Sequence, residues 1–145
     1  MKSTETTKQD TQIVPVQGIV MPAVNAQQAD LNWLGGIFDG EGCFGIYAHK
    51  QKYKKKEYIW YRPSITIGMV DSFIVKKIYK MFNFGSFYIR KTRFDRRMNK
   101  DCYIWNIQDW EKSNKVAEII IPYLRLKKPQ AFLITQAFKK RNSNE

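Results

Sequence analysis

The sequence predicts an α+β fold. Hydrophobic spacing switches between a helical period and strict alternation in the order helix, strand, strand, helix, strand, strand, helix, helix. The switches fall on Asp, Gly or Pro, the residues that cap, turn or break such elements. With 145 residues of which 43% are hydrophobic, the chain can fill one core. The arrangement expected is one antiparallel four-stranded sheet with helices on one face, built from residues 30–145. Residues 1–29 are mostly polar, contain Pro15 and Pro22 and carry no net charge, so they are expected to form a flexible amino-terminal arm.

The first helix is read from Leu31, Trp33, Leu34, Ile37 and Phe38, with Asp30 placed to cap it and an end near Asp39, where Gly40 and Gly42 tolerate helix-ending backbone angles. Asp39 and Glu41 therefore sit together at a helix end. Gly36 and Gly40 are four apart and share a face, which would let a second helix approach closely. Residues 43–50 alternate, with Phe44, Ile46 and Ala48 toward the core, and the basic run 50–56 leads to a second strand at 58–68. Asp71 can cap a helix to Phe82, read from Phe73, Ile74, Ile78, Met81 and Phe82. A second hairpin follows, 86–93 and 102–108, with Tyr103, Trp105 and Ile107 on one face. Asp109 can cap a third helix over 110–121 that Pro122 ends; residues 123–128 connect it to a last helix that Pro129 opens and that runs to about Lys140.

The charge narrows the partners. Lys and Arg number 25 against 13 Asp and Glu, giving +12, which favours a polyanion. Lys50, Lys52, Lys54, Lys55 and Lys56 cluster at one hairpin, and Arg90, Lys91, Arg93, Arg96, Arg97 and Lys100 at the other. Nucleic acid or an anionic membrane surface would both suit that charge; no apolar run approaches the roughly 20 residues of a membrane span, and the partner expected is nucleic acid with no membrane. Cys43 and Cys102 are too few for a disulfide framework and lack metal-ligand spacing. An intracellular protein is expected; the arm lacks the Arg-rich amphipathic pattern of a transit peptide, and organelle, nucleus and bacterial or phage cytoplasm are not distinguished.

The nonapeptide Leu34-Gly35-Gly36-Ile37-Phe38-Asp39-Gly40-Glu41-Gly42 resembles the motif that names the LAGLIDADG homing endonucleases, which cut long DNA sites at the tips of two closely packed helices. Leu34, Gly36, Asp39 and Gly42 match outright, the other positions are conservative replacements, and the element order also matches everything except the arm. One motif copy implies the homodimeric type, with Leu34, Gly36, Ile37 and Gly40 at the dimer interface and a saddle-like sheet in each subunit. The resemblance implies a double-strand break at a long, near-palindromic target, in the service of intron homing. It makes Glu41 the metal-binding catalytic acid, with Glu in place of the motif's Asp, assisted by the Gly40 carbonyl; Mg2+ is the expected ion, with Mn2+ as the alternative. Asp39 takes the helix-end structural role. Lys127, with Lys128 as runner-up, matches the basic residue that reaches the active site. At Gly68-Met69-Val70-Asp71 the chain departs from relatives that place a water-positioning polar residue there, and that role is left unassigned.

A two-stranded ribbon fits the major groove, where Arg can bind guanine and Asn or Gln adenine. By the alternation, the base-reading candidates are Tyr47, His49, Gln51, Arg62, Ser64, Thr66, Tyr88, Arg90, Thr92 and Asn106, with Lys54 and Lys55 on phosphates. Outward polar residues also describe any half-exposed sheet; the basic clusters favour double-stranded DNA. The alternatives are a maturase relative that holds intron RNA on the same sheet and a DNA-binding regulator without chemistry. Glu41 speaks against the maturase relative, since a non-cleaving relative has no need of the acid, and cutting with Mg2+ but not with chelator would separate the enzyme from both.

Overall fold

Helix α1 (Gln28–Glu41) runs directly into strand β1 (Gly42–Tyr53), with no residue between them. This is a computed structural model, and it describes residues 28–91 and 100–144. After β1 come β2 (Lys56–Met69), α2 (Ser72–Phe82), β3 (Ser86–Arg90), β4 (Cys102–Ile107), α3 (Trp110–Ile120), a 3-10 turn (Ile121–Tyr123) and α4 (Lys128–Ser143). The strands form one antiparallel sheet in the order β1-β2-β4-β3. The fold is α+β, as the periodicity predicts. The arm lies outside the described residues except for Gln28 and Ala29, which belong to α1.

Trp105 sits at the middle of the core. Its ring stacks on Phe82 at 5.2 Å, meets Phe38 edge-on at 6.1 Å, and its indole N–H donates to the Phe84 carbonyl at 2.9 Å, which satisfies its only polar group. Around it α1 buries Leu34 and Phe38, β2 buries Ile65 and Ile67, α2 buries Val75 and Ile78, α3 buries Val116 and Ile120, and α4 buries Ile134. Asp71 caps α2 by accepting from the Phe73 and Ile74 amides (2.8 and 3.4 Å), and Asp109 caps α3 by accepting from Lys112 (2.9 Å).

Several expectations need correction. Asp30 does not stand before α1 but within its first turn, since the helix is described from Gln28, and its carboxylate pairs with Lys77 at 2.9 Å. Nor do Gly40 and Gly42 end the helix through left-handed angles, for the one positive-φ glycine among the described residues is Gly85. Gly42 is needed for space, because a Cβ there would stand 2.6 Å from the Phe38 carbonyl where helix turns into strand. Strands β1 and β2 are longer than the alternation suggests and leave only Lys54 and Lys55 as the turn. Ala48 is exposed although it lies on the Phe44 side. Phe73, expected on the apolar face of α2, is exposed, and Val75 takes the buried place. Among the described residues no helix is long and apolar enough to cross a membrane.

Candidate catalytic centre and nucleic-acid interface

The carboxyl end of α1 concentrates negative charge. A helix carries a partial negative charge at this end, its last turn has no basic residue, and Asp39 and Glu41 add two carboxylates. One of them is consumed by structure. Asp39 accepts three main-chain hydrogen bonds, from Arg125 (2.7 Å), Leu126 (3.0 Å) and Lys127 (2.9 Å). Burial pushes this carboxyl up, but the three amides and the Lys127 charge outweigh it and hold the group below the ordinary carboxylate value. Asp39 thus ties the connection after the 3-10 turn to the helix end, and the role expected from the resemblance takes physical form.

That tie delivers Lys127. Its ammonium donates to the Gly42 carbonyl at 2.6 Å and lies 3.4 Å from the Gly40 carbonyl, so it caps the helix end with a cation. Glu41, by contrast, is exposed at the last position of α1 and has no ion-pair partner among the described residues. The Gly40 carbonyl and the Lys127 ammonium are therefore brought together at the helix end on which Glu41 is the last residue. Lys128 opens α4 and is exposed. Among the described residues no group of three His, Cys, Asp or Glu gathers that could hold a metal alone. The donors present are hard oxygens, which fit a hard divalent cation that keeps waters and takes further oxygens from phosphates.

The open face of the sheet carries the base-reading candidates together. Pairing places Cys43 opposite Thr66, Gly45 opposite Ser64, Tyr47 opposite Arg62, His49 opposite Trp60, Gln51 opposite Tyr58 and Tyr53 opposite Lys56. Asn106 pairs with Thr66 on one side and Ser86 on the other, while Tyr88 lies opposite Ile104 and Arg90 opposite Cys102. Thr92 lies outside the described residues, as do Arg93, Arg96 and Arg97. The Asn106 amide donates to Thr66 and Ser64, whose hydroxyls are 3.2 Å apart, so the sheet centre is a linked polar group with its hydrogen bonds already directed. The Tyr47 ring lies back over Gly45, where a Cβ would meet it at 2.7 Å, and its hydroxyl reaches Cys43 Sγ at 3.9 Å. Lys54 and Lys55 form the exposed tip of the hairpin.

The helix face expected at the dimer interface divides. Gly36 and Gly40 are exposed, and a Cβ added at either would meet nothing within 4 Å among the described residues, while Ile37 is half-buried beside them. Leu34 is fully buried in its own core and leaves that face; the apolar period of α1 holds, but a 0% exposed side chain belongs inside the subunit. The close approach within the subunit belongs to Gly35, where a Cβ would stand 2.4 Å from the Tyr123 carbonyl. Sequence reasoning also passes over Tyr53, Tyr58 and Trp60, although the alternation that selects Arg62 places all three on the same open face.

The family described as LAGLIDADG endonuclease matches residues 34–138. The homing endonuclease I-CvuI, solved with the I-CreI target, is similar at 28% identity with a TM-score of 0.61, over 78% of this chain and 68% of that one. I-GzeII, solved with its DNA target, is 25% identical with a TM-score of 0.57, over 79% of this chain and 36% of that one. The homing endonuclease I-TnaI shares the fold at 21% identity with a TM-score of 0.59, over 79% of this chain and 74% of that one. No curated protein sequence matches the chain significantly. The match from the helical motif through α4, with Asp39, Glu41 and Lys127 assembled at the end of α1, establishes that this chain belongs to the LAGLIDADG endonuclease family.

Proposed function

We propose that the protein is a homodimeric, metal-dependent, site-specific DNA endonuclease that makes a double-strand break at a long, near-palindromic target and serves intron homing. The observation that carries this reading is Glu41 at the negative end of α1, without an ion-pair partner among the described residues, between the Gly40 and Gly42 carbonyls on which the Lys127 ammonium rests. An acid exposed at a helix's negative end is unfavourable for folding and calls for a cation. The solved relative I-CvuI, crystallised on DNA with Mg, supports the reading of the partner and the ion.

Glu41 and the Gly40 carbonyl would hold Mg2+, or Mn2+ in its place, together with DNA phosphate oxygens. Such an ion lowers the pKa of a bound water and offsets charge on the reacting phosphate. The chain's own contribution is placement and charge. Asp39 fixes the 125–127 backbone, which supports a role for Lys127 at the helix end, where its ammonium would neutralise charge that grows on the phosphate oxygens. The open face supplies the reading surface: β1 has 12 residues and spans about 40 Å, slightly more than one turn of duplex. Two such subunits joined through the Gly36 and Gly40 face would cover a site related by two-fold symmetry.

The test is to incubate purified protein with a randomised duplex library in Mg2+ or in chelator and to sequence the new ends. The expected outcome is a shared, near-palindromic consensus cut only with metal. Binding without cutting in any divalent ion would instead favour the non-cleaving regulator.

A further inference from the structure

The open face changes character along the hairpin. Near the helix end it is polar and hydrogen-bonded, through Ser64, Thr66 and Asn106, with Arg62 next outward. Beyond Arg62 it becomes aromatic. His49 and Trp60 stack at 5.8 Å with an interplanar angle of 16°, and Tyr58 and Tyr53 continue outward, 50% and 58% exposed. Gln51 lies opposite Tyr58 and Lys56 opposite Tyr53 on the same face, and the Lys54 ammonium sits over the Tyr53 ring at 5.4 Å, so the rings are edged by polar and cationic groups.

Resting on the DNA-reading assignment of this face, we infer that the rings of His49, Trp60, Tyr58 and Tyr53 read thymine methyl groups, so that the outer part of each half-site is specified by apolar contact. Inside a duplex both faces of every base are already stacked, so a ring in the major groove meets only base edges. The one apolar group displayed there is the C5-methyl of thymine; guanine, cytosine and adenine present acceptors and donors that a ring face would desolvate without replacing. The exposed apolar area and the surrounding lysines both call for an occupant that is anionic outside and apolar at the contact, and a T-rich duplex edge is both. The register also gives the position. Successive pairs on one face are about 6.6 Å apart, close to two base-pair steps, so the aromatic pairs fall about six to ten base pairs outward from the Cys43 and Thr66 pair.

The experiment uses the full chain and duplexes recovered by selection from a randomised library. Each thymine is then replaced in turn by deoxyuridine, which removes only the methyl. Wild-type protein should lose about fourfold in affinity per methyl at the outer thymines, the value of one buried carbon, and little at inner ones. Trp60→Ala should bind the T-containing duplex more weakly and lose most of the deoxyuridine effect nearest its position, with unchanged thermal unfolding confirming the fold. Outer positions that select G·C pairs, or a deoxyuridine series with no effect on wild type, would overturn the inference while leaving sequence-specific binding intact. If single-stranded DNA or RNA competes as well as the selected duplex and Trp60→Ala removes only that competition, the rings stack on unpaired bases and the inference also fails. No selected duplex at all would instead remove the DNA-reading assignment on which it rests.

Discussion

Asp39 and Lys127 are joined at the end of α1: the Asp39 carboxylate accepts the Lys127 amide at 2.9 Å, and the Lys127 side chain then doubles back onto the Gly42 carbonyl, three residues beyond Asp39, at 2.6 Å. The backbone position of the lysine is therefore set by one acid, and its ammonium by the carbonyls that follow that acid. Asp39→Ala should free residues 125–127, cost about 2 to 4 kcal/mol of stability and misplace the ammonium, so that cleavage falls while DNA binding is largely kept. Thermal unfolding and a binding assay separate the two effects.

The same acid gives a pH dependence. Because its folded pKa lies below the ordinary value, its contribution is fully present above the unfolded pKa of about 3.9 and is lost as pH falls through the folded value. The stability difference between wild type and Asp39→Ala should be flat from pH 7 to about 5 and shrink below about 4. A difference that shrinks near pH 6 would implicate another group.

Glu41→Gln keeps side-chain size and removes the charge that would hold a hard cation. Binding should survive and cleavage fall by orders of magnitude. A mixed dimer with one substituted chain should nick one strand if each strand has its own ion, and cut neither well if one ion is shared. Gel analysis of nicked and linear products distinguishes these, and near-normal cutting by the doubly substituted dimer would remove Glu41 from the mechanism.

Adjacent glycines should fail differently. Gly35→Ala drives a methyl into the Tyr123 carbonyl and should destabilise the subunit by about 1 to 3 kcal/mol. At Gly36 an added Cβ meets nothing within 4 Å among the described residues, so Gly36→Leu should change chemical denaturation of the isolated subunit little. Sedimentation should nevertheless show a weakened dimer. A wild-type monomer that cuts both strands would dismiss the homodimer.

On the open face, Lys54→Ala with Lys55→Ala should weaken binding to all duplexes alike and make the salt dependence shallower by roughly 2. Arg62→Ala should relax preference at particular base pairs, at about 1 to 3 kcal/mol each. Titrations across salt concentrations and base substitutions report the two separately.

The sequence carries the element order because the periods are clean, and it carries both capping aspartates, Asp71 and Asp109, because each lies at the start of its helix. It also places Arg62, Ser64, Thr66 and Asn106 on one face, since alternation in paired strands leaves no freedom once one inward residue such as Ile65 is known. What it could not carry depends on long-range partners. Asp30 reads as a cap until Lys77, 47 residues away, is seen to claim it. Leu34 and Gly36 read alike as motif positions, and only the packed core separates inside from interface. The three amides that Asp39 collects lie 86 to 88 residues on, beyond the reach of any local pattern.

The hairpin tip sets two requirements against each other. Lys54 and Lys55 adopt left-handed angles, φ 45° and 66°, which a two-residue turn demands and which Asn and Gly accept with far less strain. The turn therefore carries lysines at a conformational penalty of order 1 kcal/mol or more each. Lys54→Asn with Lys55→Gly should raise the melting temperature and, by removing two positive charges, lower DNA affinity. Anyone seeking a hardier version of this protein would find this turn the easiest place to gain heat resistance and the worst place to accept it.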